Sequence, residues 1–174
     1  MRILANTVLV LLAVSVLLGA QTSRDAKVDV LLMGLFPDST RISPKEGAPP
    51  HFNIFGKGAG AESETLIGLG FWTTELEPLE RGYDGPIKIL VGMDTRGVLA
   101  GVVVVDHHEP YGNFSVDPPA FAAQFVGKSV RDPFKVGQDI DAVSRASISI
   151  LSATRAIRNS ARRMATRYLA PPQP

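Results

Sequence analysis

The sequence predicts an α+β fold: a largely antiparallel sheet packed by helices, a long C-terminal helix, and a hydrophobic N-terminal segment. Three observations lead there. Pro86 to Met93 and Val98 to Asp106 are β-rich runs joined by Asp94-Thr95-Arg96-Gly97, a tight-turn composition, so they read as a hairpin. From about Ser144 to Leu169 the pattern turns helical. There Ile148, Leu151, Ile157, Ala161, Met164 and Tyr168 approximate one apolar stripe, and Arg155, Arg158, Arg162, Arg163 and Arg167 mark much of the other side. Finally, Arg2 is followed by Ile3 to Ala20, a run without charge.

That first run is taken as residues 1–24, and the domain as residues 25–170. A positive start, a Leu/Val-rich stretch and the small residues Gly19-Ala20 suit a signal for export. The stretch is also long enough to span a bilayer. Leu18 fits poorly at the third position before a cut after Ala20, so a cleaved signal and a retained membrane anchor both stay open. Either way the domain is expected on the extracytoplasmic (periplasmic) side.

The remaining elements follow in order. Ala26 to Phe36 reads as a helix stopped by Pro37, and Pro37 to Pro50, with four prolines, reads as a loop. His51 to Phe55 alternates like a strand, and Gly56 to Gly60 reads as a turn because it lacks the GxxxxGK[ST] spacing of a phosphate loop. Thr65 to Leu76 reads as a strand. Its Gly68 and Gly70 share a face that another backbone or a flat ligand can approach closely. Pro118 to Val126 reads as a short helix with proline at its start, and Gly127 to Asp139 as an irregular connection.

Composition narrows the function classes. The 174 residues hold one domain, and 45% apolar with 20% charged residues permits a core. A net charge of +1, with no basic run interleaved with aromatics, argues against nucleic acid as a partner. The absence of cysteine excludes disulfides, thiol redox chemistry, thiolate zinc sites and iron–sulfur clusters. Any redox group must be something other than sulfur.

Three segments can carry chemistry. Asp141-Ala142-Val143-Ser144-Arg145-Ala146-Ser147-Ile148-Ser149 opens the last helix. Serines there can cap the helix or help bind a phosphate at its positive end, and the residues alone leave both open. Asp106-His107-His108-Glu109 contains metal-binding side-chain types, but in a strand His107 and His108 face opposite sides, so no metal site is assigned. Gly82-Tyr83-Asp84-Gly85 suits a turn before a strand, or a tight loop that lets backbone donors and the Tyr83 ring approach a ligand. Phe71 and Trp72 are read as core. No nucleophile and base constellation is evident, and there is no GxSxG elbow.

The Asp141 to Ser149 segment resembles the flavinylation motif of the FMN-binding domain family, roughly Asp-x-x-Ser/Thr-Gly-Ala-Thr. Members of that family include covalent-flavin subunits of the sodium-pumping NADH:quinone reductase and of the Rnf complexes. The likeness is nearest to the extracytoplasmic domain of NosR/NirI-type regulators. Gly82 to Ile87, Val91 to Asp94, Gly97 to Gly101 and His107-His108-Glu109-Pro110 are similar in order and spacing to the family's central hairpin, and Leu35-Phe36-Pro37 is similar to its entry. The resemblance covers most of residues 30–165.

The resemblance implies FMN as cofactor, held as a phosphoester on the Ser147 hydroxyl and installed by a dedicated FAD-dependent flavin transferase. It places Asp141, Ser144 and Ala146 at recognition positions, and Tyr83, Gly85, His108 and Glu109 near the flavin. Two residues depart from the pattern. Ser147 replaces the usual Thr, and Arg145 stands where many members have Gly, able to pair with the phosphate or to face solvent. The implied role is an exported electron-transfer domain in a membrane-associated redox chain, a carrier rather than a stand-alone catalyst, with a membrane redox partner. The alternatives are a flavin-binding regulatory or assembly factor for a membrane or periplasmic metalloenzyme, and a flavin-free interaction module.

Overall fold

A computed structural model of the chain describes residues 26–58 and 63–169. The export or anchor segment at residues 1–24 lies outside the described residues. The chain divides into two units, Met1–Val30 and Leu31–Pro174; residues 26–30 are the described part of the first and form the beginning of helix α1 (Ala26–Leu35).

The rest is built on a five-stranded antiparallel sheet in the order β1 (Ser39–Ile42), β2 (Phe52–Lys57), β3 (Glu64–Trp72), β4 (Lys88–Asp94), β5 (Leu99–Asp106). Each strand pairs with its neighbour in the chain. The expected β4–β5 hairpin is present, and the physics of its turn is explicit. The Asp94 carboxylate accepts from the Arg96 and Val98 amides at 2.8 and 2.9 Å, and Gly97 takes φ +81°, a left-handed conformation that suits glycine.

Two local expectations need correction. The proline-rich loop contains β1, because Ser39, Arg41 and Ile42 pair with β2 between the prolines. The predicted strand to Leu76 stops at Trp72, and Thr73–Leu76 forms a single helical turn, α2. The buried Thr73 hydroxyl donates to the Ile87 carbonyl (3.3 Å) and accepts from the Ile89 amide (3.2 Å), which fixes that departure from the sheet.

One face of the sheet is nearly bare of side chains in its middle. Gly70, Gly92 and Gly101 lie in register across β3, β4 and β5, with Gly68 two residues from Gly70. Leu32, Leu35 and Phe36 fill this trough. A Cβ on Gly92 would lie 2.8 Å from Phe36 Cε2, and one on Gly101 would lie 2.9 Å from Leu35 Cδ2. The close approach foreseen at Gly68 and Gly70 is therefore made by aliphatic and phenyl side chains.

The other face carries the main core. Leu69, Phe71, Ile89, Val91, Met93 and Leu99 pack with Phe121 of α3 (Pro119–Ala123) and with Ile150, Ala153, Ile157, Ala161 and Met164 of α4 (Ser147–Tyr168). The buried stripe of α4 differs from the expected one at its start. Ile150 and Ala153 are inside, whereas Ile148 and Leu151 are exposed. Phe71 is core, and the buried Trp72 has the Lys88 ammonium 4.6 Å from its ring centroid. The arginines of α4 are not simply a solvated face. Arg155 pairs with Glu80 at 2.6 Å, Arg162 donates to the carbonyls of Val130 and Asp132, and Arg163 donates to that of Leu76.

Candidate functional site

Helix α4 starts without the cap that serine-rich sequences usually supply. Its N-cap position is Ala146, no side chain accepts from the first turn, and that turn holds no acidic residue. The capping alternative therefore does not describe this helix. Its first amides lack intrahelical acceptors, and the peptide dipoles place roughly half a positive charge there. Ala146 is buried, while Ser147 and Arg145 are exposed. Arg145 sits at φ +69°, a conformation that disfavours a side chain.

These residues form one wall of a cavity of about 460 Å³, lined by Tyr83, Pro110, Tyr111, Arg145, Ala146, Ser147, Ile148 and Ser149. That volume suits a small-molecule site. Tyr83 is 70% exposed and Ile148 53%, and Tyr111 stacks at a tilt on Phe114 with ring centroids 5.3 Å apart. The mouth thus presents flat and aliphatic side chains to water, which is costly unless something covers them.

Behind the cavity lies Glu109, only 7% exposed. Its carboxylate accepts from the Tyr83 amide (3.0 Å), the Asp84 amide (3.1 Å) and the Ser149 hydroxyl. Burial pushes the Glu109 carboxyl up, but the Ser149 hydroxyl, the Tyr83 and Asp84 amides and the nearby His107 outweigh it and hold the group below its ordinary 4.5. Gly82 makes room: a Cβ there would collide with the Glu109 carboxylate. The loop is closed by the Gly82 amide donating to the Gly85 carbonyl (2.7 Å), with Gly85 at φ +120°. His107 in turn accepts from the Glu109 amide and meets Asp117 at 2.7 Å, so its ring is occupied in holding this corner.

Of the residues expected at the site, Tyr83, Arg145, Ala146 and Ser147 line the cavity, and Glu109 supports it from behind. Asp141, Ser144, Gly85 and His108 do not line it. The Asp141 amide donates to Gln124 Oε1 at 2.6 Å, which ties the approach to α4 to the segment after α3. Tyr111, Ile148 and Ser149 were not foreseen as site residues. The available signal for Ile148 was its place beside Ser147 in a helix whose inward positions are taken by Ile150 and Ala153.

An uncapped helix start beside a cationic side chain, with tyrosyl and aliphatic walls, suits a ligand that is anionic at one end and flat at the other. Comparison with known proteins agrees. Residues 82–162 match the FMN-binding domain family, and this match supports FMN as the cofactor. A relative from Vibrio vulnificus (strain YJ016), one of the subunits of an ion-translocating oxidoreductase complex, is 32% identical over 89 residues, which make up 45% of this chain and 42% of that protein. The chain spans less than half the length of this curated relative. No helix among the described residues is long and apolar enough to cross a membrane.

The residues fit the cofactor. Arg145 and the first amides of α4 would hold the phosphate, and Tyr83, Tyr111 and Ile148 would line the ring system.

Proposed function

We propose that this chain is a flavin-carrying electron-transfer domain whose FMN is bound through a phosphoester to Ser147. FMN, when bound, supplies one- and two-electron chemistry. The chain's own residues supply position and shelter. Tyr83, Tyr111 and Ile148 exclude water from the ring, and Glu109 keeps the Tyr83 loop against the start of α4.

The observation that carries the covalent reading is Ser147 itself. Ser147 is an exposed residue on the cavity wall at an uncapped helix start, within the segment that matches the FMN-binding family. For attachment, Ser147 Oγ bonds to the FMN phosphorus of FAD. The pyrophosphate bond breaks, AMP leaves, and the hydroxyl proton passes to a base of the flavin transferase. A tether of this kind prevents loss of cofactor by diffusion, which fits an exported domain serving a membrane-associated redox chain. The relative's name, which places it in an ion-translocating oxidoreductase complex, supports a membrane redox partner of that kind.

The test is to co-express the chain with a flavin transferase, denature it on a gel and look for flavin fluorescence. Mass spectrometry should then find FMN on the peptide containing Ser147. Flavin released by denaturation would leave a non-covalent carrier; no flavin under any condition would overturn the reading.

A further inference from the structure

The fold buries a negative charge against the cavity. The Glu109 carboxylate is 7% exposed and is touched by two residues of the cavity lining, Ser149 through its hydroxyl and Tyr83 through its amide. The Asp84 amide is the third donor, and all three are neutral. Burial alone would raise the carboxyl, yet these donors and the nearby His107 hold it below its ordinary 4.5, so it is ionised near neutrality. Among the described residues no lysine or arginine forms an ion pair with it. The charge is held in place but not cancelled, and behind the wall it is screened less than a surface charge.

The other titratable or charged groups on this side of the molecule are few. From the segment after β5, His107 turns Nδ1 to the Glu109 amide and Nε2 to Asp117. Tyr83, Tyr111 and Arg145 line the cavity and are exposed, as is Asp84. Glu109 is the one buried charge among them. We propose that Glu109 keeps a flavin in this cavity from becoming an anion when it is reduced, so that two electrons arrive with two protons rather than one. The inference rests on the flavin reading above. Two-electron reduction of the oxidised ring takes one proton at N5 and leaves an anion, or takes a second at N1 and leaves a neutral ring. The redox partner supplies the electrons and solvent the protons. A fixed negative charge disfavours the anion and raises the proton affinity of N1.

The experiment is a potentiometric titration of the FMN-loaded full chain with dithionite, repeated across the neutral and alkaline range. The potential falls with pH, and its slope halves where the reduced ring passes from two protons to one. In wild type that break should lie at higher pH than in free FMN. Glu109→Gln should move it down by about one pH unit, a tenfold loss of proton affinity. The absorption spectrum of the reduced protein reports the same change directly. Ser149→Ala removes one contact between the walls but keeps the charge, so its break should stay at or above that of wild type.

A break in Glu109→Gln that coincides with wild type overturns the inference. So does an equal downward movement in both variants, which would trace the effect to loosened walls rather than to charge. Should Glu109→Gln fail to hold flavin, wild type decides: a break at or below that of free FMN overturns the inference, while covalent FMN on Ser147 would leave the flavin reading standing. If wild type carries no flavin, both fall together.

Discussion

The Glu109 carboxylate accepts a hydrogen bond from the hydroxyl of Ser149, which lies 40 residues further along the chain. This contact joins the segment after β5 to the first turn of α4, and the same carboxylate also holds the Tyr83 and Asp84 amides. Two walls of the cavity thus depend on one buried acid.

Removing that acid should separate the walls. Glu109→Ala leaves the Tyr83 and Asp84 amides and the buried Ser149 hydroxyl without their acceptor, which costs about 1–3 kcal/mol. Urea unfolding should register that loss, and FMN affinity should fall with it. Glu109→Gln keeps an acceptor and should lose less on both measures.

The acid limb of stability follows from the same group. The fold holds the Glu109 carboxyl below its ordinary 4.5, so the ionised form is the stabilising one. Its contribution is complete above 4.5 and disappears as the pH falls through the lower value of the folded state. Thermal melts from neutral pH down through the ordinary carboxylate range should show this loss, and Glu109→Gln should flatten that part of the profile. An identical acid limb in the variant would contradict the assignment.

Ser147→Ala separates attachment from folding. The side chain is exposed and caps nothing, so stability should change by less than about 0.5 kcal/mol. Covalent label should vanish while non-covalent FMN binding persists. Ser147→Thr should keep the label. Label remaining on the Ala variant would exclude Ser147 as the attachment point.

Ile148 distinguishes a site residue from a core residue. Because it is 53% exposed, Ile148→Gln should leave the Tm within about two degrees while weakening FMN binding in a fluorescence titration. The neighbouring Ile150→Gln, in a fully buried position, should unfold the domain at markedly lower temperature.

Filling the glycine trough tests the opposite face. Gly92→Val would drive side-chain atoms into Phe36 and Leu35, a clash worth about 1–3 kcal/mol. Scanning calorimetry should show a lower Tm of several degrees, with FMN affinity per folded molecule unchanged.

The hairpin was legible because Asp94 to Gly97 carries its turn chemistry locally, and the second half of α4 was legible because Ile157, Ala161 and Met164 keep helical spacing. The first turn of α4 misled: Ile148 and Leu151 look like core in a pattern that assumes every apolar residue goes inside, yet both are exposed and Ile148 borders a cavity. Strand β1 was hidden because its short residues gain order from pairing with β2, a contact that no local propensity encodes. At the site, the segment around Ser147 was visible as a motif. The part of Tyr111 was not, since it depends on how the chain after β5 folds back. Asp141 and Ser144 belong to the motif in sequence but lie outside the cavity lining, because the chain turns at Ser144 and Arg145 before the helix begins.

The neighbour-to-neighbour order of the strands has a consequence for how the molecule assembles and opens. Each pairing within the sheet closes a short stretch of chain, so little entropy opposes it. The cavity instead requires Tyr83, Tyr111 and Ser147 to meet across long separations. Amide exchange within β3 and β4 and the emission of a lodged flavin therefore monitor different events, and the second should respond first when the molecule begins to loosen.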